Sequence, residues 1–507
     1  MRTQVFAALL AIALGSVGAP AQDDPVEDLA DALAERADRR AEAARLGSEA
    51  AAALEARELV RAEALLREQI ELDPGNFVPY YNLACVHSVE FRVDDAAKFL
   101  GRAVELGFIS REQLARDPWL ENLRHTDFYL RLLSNWDRVI EARRQAQMAA
   151  VRTWLDGRVE HIAVDDLRID VLSHHDPRST EMAVEDLRQV ARWAASVSPE
   201  LFAVEDSDPW TVVVLPERTD FVKWAVATFG PSARRPNACI GGAYEHDRRR
   251  LVAQDLGPTL RHEFLHVLHW RGMDRLGQRH PIWIQEGLAS LVEDLDPVRM
   301  GSDTLRPAPS RRTNVVKRLA KVNRLPKLDE LAGLSHQRFS TRRPLAQYAQ
   351  ARTLFFYLDD RGLLGPWLNA YVGDPVFGYD DDPTGTRAFD RVTEKPRDEA
   401  WRDYRVWASR SLAEAPESFT DIDASLGIGI EPGDGDGPRV NQLPPGARGR
   451  TGLRLGDIVT SIDGRTTRTT DETVRILASY RPGDSVTLTY RRGRLHGETE
   501  FALVATR

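Results

Sequence analysis

Gly257-Pro258-Thr259-Leu260-Arg261-His262-Glu263-Phe264-Leu265-His266 is the stretch on which the reading of this chain turns. His262 and His266 are four residues apart, so on a helix both imidazoles leave from one face and can share a metal ion. Glu263 sits about a hundred degrees round the same helix, within reach of a water held at that metal. Helical structure is expected because Pro258 occupies the start position that proline favours, with Leu260, Phe264, Val267 and Leu268 as packing residues.

A catalytic zinc site needs a third protein donor and one open position. Glu286, in Pro281-Ile282-Trp283-Ile284-Gln285-Glu286-Gly287-Leu288-Ala289, is the best candidate and follows His266 by 20 residues. The paired motifs, HExxH and W-I-x-E-G-L-A, resemble the gluzincins, thermolysin-like metallopeptidases whose third ligand is a Glu on the next helix. The resemblance spans residues 150–415 and includes a later helix, QYAQARTLFFYL at 347–358, similar to that of peptidase-MA-like domains. It implies a zinc ion (Zn2+) held by His262, His266 and Glu286, with Glu263 as general base. The thermolysin pattern carries an Asp four residues beyond the Glu ligand, where this chain has Ser290. Glu293 is the alternative partner for a ligand histidine, but on a continued helix it lies one turn further on.

A tetrahedral oxyanion needs a stabiliser besides the metal. Tyr348 and Tyr244 are candidates, and His269 and His280 are also within plausible reach, each against a simpler packing role. The segment Gly241–Tyr244 falls where gluzincins place an edge strand that pairs with an extended substrate, which would make Gly242, Ala243 and Tyr244 substrate-binding; its glycines, Gly241 and Gly242, equally suit a bulge.

Beyond residue 420, Ser425-Leu426-Gly427-Ile428, Gly452-Leu453-Arg454-Leu455-Gly456-Asp457-Ile458-Val459 and Ile462-Asp463-Gly464 resemble a bacterial PDZ domain over 420–507. A helix at Asp471–Ser479 and a closing strand pair, SVTLTY and ETEFALVA, are expected. The resemblance implies capture of a chain end along Leu426, Gly427 and Ile428 by strand addition. Asp434-Gly435-Asp436-Gly437 lacks the spaced acids of a calcium loop and reads as a turn.

Towards the N-terminus, Ala62, Leu66, Ile70, Glu71 and Leu72 recur 34 residues later as Ala96, Leu100, Val104, Glu105 and Leu106. This period is that of tetratricopeptide repeats, which bury apolar faces by stacking. Residues 43–140 are read as such repeats and a cap, serving either docking or spacing. Glu49 and Gln69 depart from the pattern. Residues 1–21 have the form of a secretory signal: Arg2, the apolar run Val5–Leu14, and Ala19-Pro20-Ala21 as cleavage site. Residues 22–42 are an acidic leader.

From 150, strands are expected at Glu160–Val164, Leu167–Leu172, Thr211–Leu215, Cys239–Tyr244 and Arg250–Ala253, with helices at 179–197 and 218–229. His174-His175 reads as solvated loop. The fold class is therefore multidomain: all-α helical repeats, an α+β zincin-like peptidase domain with a sheet and active-site helix, and a small β-rich PDZ domain.

Composition narrows the chemistry. The 507 residues carry a net charge of −9 and are 42% hydrophobic, which gives no basic field for nucleic acid and no run for a stable membrane span in the mature form. Only Cys85 and Cys239 are present, so a thiolate zinc site is excluded and His and Glu must serve. Together these readings predict an exported, secreted or periplasmic zinc endopeptidase acting on proteins or peptides, with the PDZ domain and repeats docking substrate or partner. The alternatives are a non-catalytic adaptor with a structural zinc, or another zinc hydrolase such as an amidase or aminopeptidase.

Overall fold

The computed structural model describes residue 39 and residues 42–155, 159–204, 209–229, 241–245, 248–296, 305–373, 384–433 and 435–506. The expected signal at 1–21, nearly all of the acidic leader, Cys239 and Asp434 lie outside the described residues. The chain divides into two compact units, residues 1–149 with 222–239, and residues 150–221 with 240–507.

In the first unit, helices α1 (Leu59–Leu72), α2 (Phe77–Val89) and α3 (Val93–Leu106) follow one another closely. Asn76 opens α2 by accepting a hydrogen bond from the Val78 amide, as a short polar N-cap should. Positions related by the 34-residue offset are equivalent in burial: Ala62, Leu66, Ala96 and Leu100 are all fully buried. Gln69, where an apolar or small residue was expected, is buried too, and Gly47 leaves the room for it, since a Cβ there would come within 2.8 Å of its Nε2. Cys85 is a buried free thiol.

The second unit is built on a five-stranded sheet of β1 (Glu160–Val164), β2 (Ile169–Ser173), β3 (Trp210–Val214), β4 (Gly242–Glu245) and β5 (Arg250–Ala253). Their order is β1-β2-β3-β5-β4, with β2, β3 and β5 parallel and both outer pairs antiparallel. The central strands β2 and β3 are buried throughout, which explains their unbroken apolar runs. β4 is the sheet's edge; of the strand expected at Cys239–Tyr244, residues 239 and 240 lie outside the described residues and Gly242–Tyr244 fall in β4. β2 also starts later than expected, because Asp165–Leu167 forms a tight 3₁₀ turn.

Helices α4 (Pro177–Val197) and α5 (Pro258–Leu276) pack on this sheet, and α6 (Ile282–Ala289), α7 (Arg311–Lys321) and α8 (Pro344–Asp360) extend the same continuous apolar core. α6 runs tightly along α8: a Cβ at Gly287 would meet the Phe355 ring at 2.5 Å and the Ala351 carbonyl at 2.9 Å. Trp283 stacks on Phe355 with centroids 5.2 Å apart. His175 corrects an expectation. It is buried, with Nε2 3.2 Å from the Leu215 carbonyl, because it follows directly on the buried strand β2; His174 alone is exposed.

The C-terminal part forms a second sheet with β6 (Gly429–Glu431), β7 (Arg439–Gln442), β8 (Ile458–Ile462), β9 (Ser485–Arg492) and β10 (Leu495–Ala502), in the order β10-β9-β8-β7-β6. Helix α9 (Thr470–Leu477) packs on it through Val474, Ile476 and Leu477. Among the described residues no helix is long and apolar enough to cross a membrane.

Candidate metal centre

Helix α5 begins as its sequence requires, with Pro258 in its first turn. The Asp255 carboxylate completes the start by accepting from the amides of Gly257 and Thr259 at 2.9 and 3.1 Å. That cap was missed from sequence, although an Asp two residues before Gly-Pro is a fair signal for it.

The helix brings Nε2 of His262 and His266 to 3.1 Å from each other. Oε2 of Glu286, from α6, lies 3.3 Å from the first and 3.6 Å from the second. The three donor atoms lie within 4.8 Å of one another, as one ion requires. Four ligands in a tetrahedron at zinc distances of about 2.0–2.2 Å have donors separated by about 3.3–3.6 Å. The spacing and the N,N,O donor set therefore fit zinc. The structure thus places together all three residues chosen as ligands from sequence.

Electrostatics agree with a cation site. Burial opposes charge on Glu286, yet the neighbouring His266 and His262 hold its carboxyl well below the usual carboxylate range. Burial likewise opposes charge on His262, but Glu286 and Glu293 outweigh it and raise the imidazole to about 10. A positive charge is thus favoured at the centre of the triad, supplied by a proton where no metal is bound.

Glu263 is buried beside the triad, and burial lifts its carboxyl above the ordinary range against the pull of His262 and His266. The edge strand reaches it directly. A Cβ at Gly242 would fall 2.4 Å from Glu263 Cγ, so only glycine allows the strand to pass this close. Tyr244, two residues on, lies with its ring stacked on His266 at 5.0 Å and donates its hydroxyl proton to Gln285 Oε1 at 3.2 Å. Ala243 lies between them and pairs with Val252. Tyr348, on α8, has its hydroxyl pushed up by burial and by the charge of Glu286. His269 and His280 do not join the triad: their Nε2 and Nδ1 atoms are 2.7 Å apart, and His280 Nε2 turns to Gln278. Burial keeps both neutral, His280 down to about 3 and His269 also well below its usual value.

The partner of His262 is Glu293. Its Oε1 lies 2.8 Å from Nδ1. Helix α6 ends at Ala289, and Ser290–Val292 continue as a 3₁₀ turn that advances more degrees per residue than an α-helix. Glu293 follows this turn directly and reaches across to the ligand helix α5. Ser290 is fully buried instead, and its carbonyl accepts from Arg352 Nε at 2.8 Å. Arg312, on α7, contacts both Glu293 oxygens at 3.0 Å and lies 5.5 Å from the Tyr348 ring centroid. Nothing in the sequence marked Arg312, which lies 26 residues beyond Glu286 on a separate helix.

In the C-terminal part, Leu426 is buried and Gly427 adopts a left-handed φ of +66°, with its amide donating to Ser425 Oγ at 3.1 Å. Ile428 is half-buried, and β6 just beyond it is the outer strand of its sheet.

Residues 424–503 match the PDZ domain family, so the chain contains a PDZ domain there. No curated protein matches the chain. Among solved structures, it is similar to an aminopeptidase N family protein from Idiomarina loihiensis, at 14% identity and a TM-score of 0.27, over 69% of this chain and 67% of that one. It is also similar to an HtrA-type protease solved with a decapeptide, at 18% identity and a TM-score of 0.16, over 22% of this chain and 35% of that one.

Proposed function

We propose that this chain is a zinc-dependent peptidase of gluzincin type. The observation that carries the reading is the convergence of His262, His266 and Glu286 with Glu263 buried alongside. His262, His266 and Glu286 would hold the ion. When bound there, zinc supplies a Lewis acid that polarises a carbonyl and makes water more acidic. Glu263 receives a proton from the attacking water and returns it to the departing amine; a carboxyl raised by burial is suited to both transfers. The exposed side of β4 offers backbone groups to an extended peptide, and Gly242 brings that strand against the general base. Tyr348, whose hydroxyl contacts Ser340 and senses the charges of Glu286 and Glu263, is the preferred oxyanion donor; the Tyr244 hydroxyl gives its proton to Gln285.

The PDZ domain serves to dock a peptide or protein, as the free edge at β6 supports. The helical unit is read as a repeat surface for a further partner, and the N-terminal segment as an export signal. The test is digestion of casein and a peptide library, with and without chelator, by the purified wild type and Glu263→Gln. The reading expects one zinc in each protein, chelator-sensitive cleavage by the wild type and none by the variant. One zinc with no cleavage in any library favours a non-catalytic adaptor.

A further inference from the structure

We propose that the PDZ helix α9 positions the metal centre, through Glu472 and Arg475, so that the PDZ domain is a working part of the peptidase site. The inference rests on the zinc reading above.

Arg261 precedes His262 and is fully buried. Its Nε and Nη2 donate at 2.8 Å to the carbonyls of Val292 and Glu293, the segment that delivers the Glu293 carboxylate to His262. One guanidinium therefore ties the ligand helix to the loop bearing that ligand's partner. A buried guanidinium needs a counter-charge. Among the described residues, Glu472 of α9 is the carboxylate hydrogen-bonded to it, at 2.5 Å, while Asp186 stands off at 4.0 Å.

A second contact acts on the other side of Glu293. Arg475, one turn along α9 from Glu472, lies 2.7 Å from Asp294, the neighbour of Glu293. Both side chains are nearly buried. The PDZ domain thus grips residues on both sides of the His262–Glu293 contact. It also meets the start of α5: the Leu256 amide donates to the Gly435 carbonyl at 2.9 Å, and a Cβ at Gly257 would fall 2.4 Å from Arg468 Cβ. A tethered docking module would have no reason to bury charge against the ligand helix. A domain that sets the angle of that helix would.

Glu472 and Arg475 are positioning residues, acting through Arg261 and Asp294, so metal binding is a more direct readout than turnover. The experiment uses full-length protein as wild type, Glu472→Gln, Arg475→Met, Arg261→Met and the double variant R261M/E472Q, with exposed Glu498→Gln as control. Zinc affinity is measured by competition with a chromophoric chelator, the visible spectrum by cobalt substitution, and integrity by circular dichroism and thermal melting. Outer partners of metal ligands typically change affinity by about 10–100-fold. The expected result is a loss of about that size for Glu472→Gln, a smaller one for Arg475→Met, altered cobalt bands, and no change in Glu498→Gln. Because Glu472 acts through Arg261, adding Glu472→Gln to Arg261→Met should cause little further loss. Wild-type affinity and spectrum in Glu472→Gln would overturn the inference, as would a loss that persists undiminished in the Arg261→Met background. Loss that merely follows global unfolding in the melts would also overturn it. A wild type that binds no zinc overturns the zinc reading and this inference with it, whereas a wild type and a Glu472→Gln that bind alike overturn only the inference.

Discussion

Glu293 Oε1 stands 2.8 Å from Nδ1 of His262, while Arg312 contacts both oxygens of the same carboxylate at 3.0 Å. The imidazole is thereby oriented from behind, with its Nε2 left to face His266 and Glu286. Carboxylates in this position fix the tautomer and raise the basicity of a ligand histidine.

Glu293→Gln keeps the shape and removes the charge. Zinc affinity is expected to fall by about 10–100-fold. Arg312→Met should act in the same direction but more weakly, because it frees Glu293 without removing it. Chelator competition on both variants checks this. Unchanged affinity in Glu293→Gln would leave the carboxylate with no role at the metal.

The proton on His262 sets a pH dependence. Its pKa in the metal-free fold is raised from 6.5 to about 10, because Glu286 and Glu293 outweigh the effect of burial. A raised pKa means that the proton stabilises the metal-free fold fully below about 6.5, and that this contribution is lost as pH rises through about 10. Zinc needs the neutral imidazole, so the proton must leave as the metal enters. Between pH 7 and 9 the apparent zinc affinity should rise about tenfold per pH unit, with His262 releasing one proton. Titration calorimetry in buffers of different ionisation enthalpy measures both. An affinity independent of pH over this range would contradict it.

How far the site could be read from sequence depends on whether its geometry is local. His262, Glu263 and His266 lie on one helix, where spacing alone determines which face they share. Glu286 follows within a short connection and carried its own motif. The strands β1, β3 and β5 were placed within a residue: β3 and β5 because buried parallel strands show as apolar runs, and β1, antiparallel and half-exposed, by its alternation. Glu293 was weighed and set one turn further along, because its contact with His262 joins two separate segments and spacing along one of them does not fix it. Arg312, Glu472 and Arg475 act across long separations, and an arginine that compensates a buried carboxylate looks in sequence like any surface arginine. His175 was misread for a related reason: its burial follows from packing beyond the strand end.

Gly242 offers a test of the edge strand. A methyl group there would overlap Glu263 Cγ at 2.4 Å and Thr259 Cγ2 at 2.8 Å. Gly242→Ala must therefore displace β4 or turn the Glu263 carboxylate. Misplacement of a reacting group by about 1 Å can cost about 100-fold in rate. The expected outcome is a fall in kcat of that order, with zinc content near that of the wild type, because the atoms nearest the added methyl belong to Glu263 and Thr259 and not to a ligand histidine. Equal activity in the variant would show that the general base and the strand do not need this contact.

The two tyrosines separate by the partners of their hydroxyl groups, Gln285 for Tyr244 and Ser340 for Tyr348. Tyr244 stacks its ring on His266 and donates its proton to Gln285, whose amide in turn donates to the His280 carbonyl at 2.6 Å. Its hydroxyl belongs to a chain of structural hydrogen bonds, so Tyr244→Phe should chiefly perturb the seating of His266 and change zinc affinity modestly. Tyr348 faces the carboxylates of Glu286 and Glu263 from α8, and their charges add to burial in keeping its proton in place. A phenol held in its donor form beside the general base is suited to an oxyanion that exists only in the transition state. Loss of one such donor costs about 10²–10³ in kcat. Tyr348→Phe should show that loss with KM and zinc content little changed, and steady-state kinetics with zinc analysis on both variants decides between them. Were Tyr244→Phe to lose kcat and Tyr348→Phe to keep it, the oxyanion donor would lie on the edge strand rather than on α8.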